Sequence, residues 1–221
     1  MDDRLPLFPL GLVLLPGEPV PLHIFEPRYR EMVALCLRED RPFGIVYASE
    51  SALSGVGTTA WIRRVVTRYE DGRLDIVVVG ETRFRLVKVH RDLAYLSADV
   101  EPIEDAPPEP SDDAVRERVV TQHMKLVEMA GETPRPGLYE APPEVSFIVG
   151  RNAGFELEQK QTLLEMESEG ARLSFLATHF AGIIKRVRRA KHLHDLSRGD
   201  GHAGPAPEAP EPPDASEPPE A

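Results

Sequence analysis

Residues 5–24, LPLFPLGLVLLPGEPVPLHI, are strongly apolar, yet proline or glycine interrupts them every few positions. A proline inside a helix removes a backbone donor and clashes with the preceding turn, so this stretch cannot form a long helix. Burying it therefore requires short extended pieces joined by rigid turns. The apolar groups predict strands at Leu5–Phe8, Val13–Leu15 and Val20–Ile24.

The prolines also argue against an export signal or a membrane anchor. The chain opens Met1-Asp2-Asp3 with no basic residue, carries Pro6, Pro9 and Pro16, and shows no small-residue cleavage site. No run reaches the ~20 apolar residues that a membrane helix needs. A cytoplasmic protein that binds no membrane is the expectation.

Downstream, Pro27 suits the first turn of a helix with Glu26 at its electropositive end. Tyr29, Met32, Val33, Leu35, Cys36 and Leu37 predict that this helix runs to about Glu39. Strands resume at Phe43–Tyr47. Trp61–Tyr69 and Leu74–Val79 flank Asp71-Gly72, a pair that favours a tight hairpin turn with positive φ. Gly80-Glu81-Thr82 reads as a further turn into Arg83–Val89, and Tyr95–Val100 as a last strand. This spacing, with one early helix, predicts an antiparallel sheet closed into a small barrel over residues 1–104. Closure hides strand edges from unwanted pairing.

Composition changes at Pro102–Pro110, and residues 105–110 read as a linker. Beyond it the period becomes helical, so residues 111–198 predict a small C-terminal helical bundle and the chain as a whole an α+β fold. Its first helix starts at Ser111, with Asp112 and Asp113 as capping and dipole-matching groups. Glu144–Asn152, Leu157–Met166 and a longer stretch from Leu173 through Leu193 follow, after a loop at Pro134–Pro143. Residues 199–221 hold seven prolines, six acids and no Lys or Arg, a composition expected to stay disordered. They account for six of the net −11, leaving −5 on the rest. That balance argues against DNA and against a general nucleic-acid binder.

No residues assemble a catalytic motif. The chain lacks a Gly-x4-Gly-Lys-[Ser/Thr] phosphate loop, His-Glu-x-x-His and Gly-x-Ser-x-Gly. The lone cysteine, Cys36, falls in an amphipathic helix and reads as a buried structural thiol. His192 and His194 point to different sides of a helix, and His23 reads as a hydrogen-bonded strand histidine rather than a base. Glu165, Glu167 and Glu169 read as solvated surface. Lys185–Lys191 is the one dense basic segment; a cationic helix end explains it without a ligand. No cofactor, metal site or catalytic residue is expected.

Several segments resemble, in order and spacing, the Lon protease N-terminal (substrate-binding) domain family. They are LPLFPL at 5–10 with LPG at 15–17, LHIFEPRYR at 22–30, FGIV at 43–46, GTTA at 57–60 and DGR at 71–73. GETRFRL at 80–86, YLSADVE at 95–101, and KQTLLE at 160–165 with Arg172-Leu173 complete the set. The resemblance implies a PUA-like β-barrel with a helical bundle behind it and a domain that captures unfolded or tagged polypeptides. In the full proteases, ATP hydrolysis and the Ser–Lys peptidase dyad lie in later domains. Those domains are missing from this sequence, so a stand-alone, non-catalytic form is expected.

The leading expectation is thus an adaptor or regulator that binds unfolded or extended polypeptide, with a protease or chaperone as possible partner. An incoming peptide would pair with a strand edge or lie between barrel and bundle. Phe8, Phe25 and Tyr29 are the aromatic candidates for contacting it. The alternative is a small-molecule or RNA-binding PUA-like domain.

Overall fold

The computed structural model describes residues 4–49, 52–109, 112–140 and 144–199. Ser111 and the acidic tail beyond Gly199 lie outside the described residues. The first strand, β1 (Leu5–Leu10), carries two prolines. It runs antiparallel to β6 (Leu96–Pro102) over Leu5–Leu7 and parallel to β3 (Phe43–Ala48) over Leu7–Leu10. Only Leu7 belongs to both registers. Each proline thus has one neighbouring strand alongside it, which accommodates its missing donor.

The parallel β1–β3 pair corrects the expectation of a purely antiparallel sheet. Between these strands the chain forms β2 (Pro19–Ile24) and the helix α1 (Pro27–Glu39), a connection long enough to bring β3 back in the same direction. Pro27 does open that helix, and Asp40 closes it in the left-handed conformation at φ 46°.

Val13–Leu15 are buried but form no strand. Their backbone is satisfied from elsewhere: Thr58 Oγ1 donates to the Leu14 carbonyl at 2.6 Å, and the Leu15 N–H donates to Glu18 Oε2 at 2.9 Å. Side chains replace a strand ladder.

The hairpin forms as expected, with Gly72 at φ 83°, but its strands are longer. They are β4 (Leu53–Arg68) and β5 (Leu74–His90), and β5 passes through Gly80-Glu81-Thr82 without turning. Gly80 is needed there for closeness. A Cβ at this position would lie 2.5 Å from the Leu15 carbonyl oxygen.

The sheet is mixed, in the order β2-β5-β4-β3-β1-β6, with β5 also pairing β6. The first half of β5 pairs β2 and the second half pairs β6, while β4 flanks most of its length. One apolar cluster joins Met32, Val33 and Cys36 of α1 to Ile24, Ile76 and Val78. A smaller one gathers Leu5, Leu7, Val46, Phe84 and Ala98.

The helices are α2 (Asp112–Met129), α3 (Val145–Gly150), α4 (Leu157–Glu165) and α5 (Glu169–Gly199), with a 3₁₀ turn at Pro136–Tyr139. The chain divides into two compact units, Met1–Gly182 and Ile183–Ala221. In the second unit, α5 continues to Gly199 and exposes Lys185, Arg186, Arg188 and Arg189.

Within the first unit, buried arginines tie helices to sheet. Arg172 is fully buried and donates to Asp105, Glu169 and the Ser146 hydroxyl; its guanidinium lies 4.3 Å from the Phe147 ring centroid. Arg83 of β5 donates to the Leu164 and Met166 carbonyls at 2.9 and 2.6 Å and also reaches Asp105. No helix among the described residues is long and apolar enough to cross a membrane.

Candidate functional site

Antiparallel registers decide which side chains share a face. Across β2, β5 and β4 the aligned rows are Pro19–Val79–Trp61, Pro21–Val77–Arg64 and His23–Asp75–Thr67. The alternate rows, Val20–Val78–Ile62, Leu22–Ile76–Val65 and Ile24–Leu74–Arg68, direct their apolar members onto the core beside α1. The first set therefore forms the outer face. Pro19, Pro21 and Arg64 are exposed, and Trp61, Val77 and Val79 are half-buried. Its centre is apolar, and it carries the chain's single tryptophan.

One end of this face is an aromatic ledge. His23 Nδ1 lies 2.6 Å from Asp75 Oδ1, and the Tyr69 hydroxyl donates to Asp75 Oδ2 at 2.7 Å. The His23 ring stacks on Phe25 at 5.9 Å and meets Tyr69 edge-on at the same separation. The bond to Asp75 pushes the Tyr69 hydroxyl pKa up, while the bonds from Tyr69 and His23 hold the Asp75 carboxyl below its ordinary value. Asp75 is thus a charged acceptor already engaged by its neighbours. Phe25 remains 58% exposed.

The three aromatic candidates separate. Phe8 and Tyr29 are buried, with ring centroids 4.1 Å apart, and belong to the core cluster around α1. Phe25 alone reaches solvent. Trp61, Val77 and Val79 were not singled out from sequence. The β4 side of this face is irregular, its register shifting between Ile62 and Arg64 and again between Val65 and Thr67. Simple alternation along WIRRVVTR consequently assigns Arg64 and Val65 to the wrong sides.

Hollows among the described residues include two that border helices. One of about 550 Å³ sits between α1 and the hairpin turn, lined by Pro27, Arg30, Ala34, Arg68, Tyr69 and Gly72. The other, about 840 Å³, runs beside α2 against Leu126, Val127, Ala130 and Leu138. There His123 Nδ1 lies 2.7 Å from the Tyr139 hydroxyl, and burial pushes the histidine pKa down. Among the described residues, no group of three or more His, Cys, Asp or Glu side chains is placed to hold a metal ion. The outer face offers a ligand apolar and aromatic contact bordered by polar groups, an arrangement suited to recognition.

Residues 4–180 match the family model of the ATP-dependent protease La (LON) substrate-binding domain. The Lon protease of Paraburkholderia phytofirmans is 26% identical over 215 residues, covering 90% of this chain and 26% of that protein. Lon protease 2 of Myxococcus xanthus is 26% identical over 212 residues, covering 87% of this chain and 24% of its own length. The chain spans about a quarter of the length of these curated relatives. The crystal structure of a Lon N-terminal domain protein from Xanthomonas campestris superposes with a TM-score of 0.62 at 27% identity, covering 80% of this chain and 98% of that one. The N-terminal domain of Mycobacterium avium complex Lon protease gives 0.67 at 19% identity, covering 81% and 98%, a likeness of fold.

Proposed function

We propose, from the premise that this chain belongs to the LON substrate-binding domain family, that it is a non-catalytic polypeptide-binding module. It acts as an adaptor or regulator that holds exposed segments of unfolded or tagged cytoplasmic proteins, with a protease or chaperone as its working partner. The observation that carries this reading is the outer face of β2, β5 and β4. Its apolar centre of Trp61, Val77, Val79, Pro19 and Pro21 has the polar border expected of a binding surface.

The run of pairings β1–β3–β4–β5–β6 and back to β1 supports reading the sheet as a closed, PUA-like barrel. In that reading α2, α3, α4 and the first part of α5 are the helical bundle behind it. Buried Arg172 and Arg83, which tie helices to the sheet, support a stable scaffold for the binding face.

The test is a titration of the pure protein with a permanently unfolded, carboxymethylated protein. Saturable binding that is lost in Val77→Asp, while that variant keeps the native circular dichroism, is the expected result. Undiminished binding by Val77→Asp would place the site elsewhere. Release of peptides from casein by the pure protein would overturn the non-catalytic assignment.

A further inference from the structure

We infer that the outer face takes a proline-rich, acid-bearing segment of a partner polypeptide, held as a polyproline helix across the sheet. This rests on polypeptide binding by that face and narrows the class of ligand.

The free edges of the sheet exclude the commonest alternative, addition of an extended strand. Among the described residues β2 pairs only with β5, and its outward backbone positions include Pro19 and Pro21, which have no N–H to donate. β4 has no β3 partner beyond Ala60, but register shifts at Arg63 and Val66 break the two-residue repeat that an added strand must follow. Neither edge presents a regular ladder. A polyproline helix needs none, because its backbone stays hydrated and its shape exists before binding.

The side chains supply what such a helix uses. Aromatic side chains grip polyproline ligands through apolar contact. Here Trp61 stands in the Val79 row, and the Tyr69 hydroxyl is bound in the Asp75 row. Those rows lie roughly 13 Å apart at the rise of a strand, the reach of about four polyproline residues. Pro19, Pro21, Val77 and Val79 fill the interval.

Charge decides the remaining character. Residues 61–68, WIRRVVTR, contain three arginines and no acid. Arg64 stands in the middle row of the face and, among the described residues, has no carboxylate partner. Asp75 is engaged by His23 and Tyr69, and Glu81 faces Arg63 at 4.0 Å, which leaves Arg64 as the uncompensated charge. A ligand carboxylate is the missing complement.

Trp61, as the only tryptophan, reports directly on this surface. Three synthetic peptides of equal length are titrated against the pure full chain: Pro-Glu repeats, Pro-Lys repeats and a proline-free Val- and Phe-rich sequence. Expected is a saturable shift of Trp61 emission with Pro-Glu, tightest of the three. Arg64→Glu, an exposed change checked by circular dichroism, should weaken it about tenfold and strengthen Pro-Lys. Equal binding of Pro-Glu and Pro-Lys overturns the charge assignment. Binding of the Val- and Phe-rich peptide at equal or greater affinity overturns the polyproline assignment and leaves polypeptide recognition standing. If none of the three binds, both readings fall.

Discussion

Arg172 donates through Nη1 to Asp105 Oδ1 at 2.7 Å and through Nη2 to the second carboxylate oxygen, joining α5 to the segment that follows β6. The same carboxylate accepts from Arg83 of β5. One acid thereby bridges two arginines that helix and sheet bury together, and Glu169 supplies Arg172 with a second carboxylate. Removing Asp105 leaves Arg83 without its paired carboxylate and Arg172 with Glu169 alone, in a poorly hydrated place. Asp105→Ala is expected to destabilise the protein by about 3–5 kcal/mol, read from urea unfolding. A loss below about 1 kcal/mol would mean that water replaces the carboxylate freely.

The same pair sets a pH dependence. Burial alone would push the Asp105 carboxyl up, but the bonds and charges of Arg172 and Arg83 outweigh it and hold it below the usual carboxylate range in the folded state. The unfolded chain therefore takes up this proton first as pH falls. The stabilisation is complete above about pH 4 and is lost progressively below it. Asp71, Asp75 and Asp92 shift in the same direction, so the wild type must be compared with Asp105→Asn. The unfolding midpoint of the variant should fall less steeply between pH 5 and pH 2.

Gly80 offers a test of close approach. A methyl group there meets the Leu15 carbonyl at 2.5 Å and the Leu14 side chain at 3.0 Å. The connector above it is fixed by Gly17 donating to the Gly80 carbonyl at 2.7 Å, so it cannot retreat without losing that bond. Gly80→Ala should cost about 1–3 kcal/mol, whereas Gly55→Ala, with open space around its Cβ position, should be close to neutral.

Local chemistry made part of this fold legible. Pro27 opens α1, Gly72 turns the hairpin, and the apolar period places Cys36 inside, each determined by neighbours a few residues away. What escaped was set by distant partners. Val13–Leu15 look like a strand because they are apolar, but their backbone bonds go to Thr58 and Glu18. Gly80 looks like a turn, and only the Leu15 carbonyl lying against it explains the residue. The β4 part of the outer face was obscured for a related reason: a shift between Ile62 and Arg64 reverses the apparent sides of Arg64 and Val65 until a second shift restores them at Thr67. Asp105 sits in a stretch rich in proline and acid that reads as solvent-exposed, and two remote arginines draw it inward.

Cys36 should behave as a core residue. Burial pushes its thiol up to about 11, and its sulfur sits 3.9 Å from the Pro42 carbonyl. At pH 8 the reactive thiolate is then scarce as well as inaccessible. Labelling with a thiol reagent should be slow in the native protein and complete within the mixing time in urea. Rapid native labelling would require α1 to open locally.

Phe8 and Phe25 separate stability from binding. Phe8 packs on Tyr29 and Phe43, with centroids 4.1 and 6.0 Å away, so Phe8→Ala should cost about 3–5 kcal/mol. Phe25 projects into solvent beside His23, and Phe25→Ala should change stability by no more than about 0.5 kcal/mol. Its effect should appear instead in polypeptide binding, because the aromatic ledge loses its outermost ring. Thermal unfolding and the Trp61 titration, run on both variants, measure the two quantities independently. A Phe25→Ala protein that binds like the wild type would remove the ledge from the recognition surface and confine recognition to Trp61, Val77 and Val79.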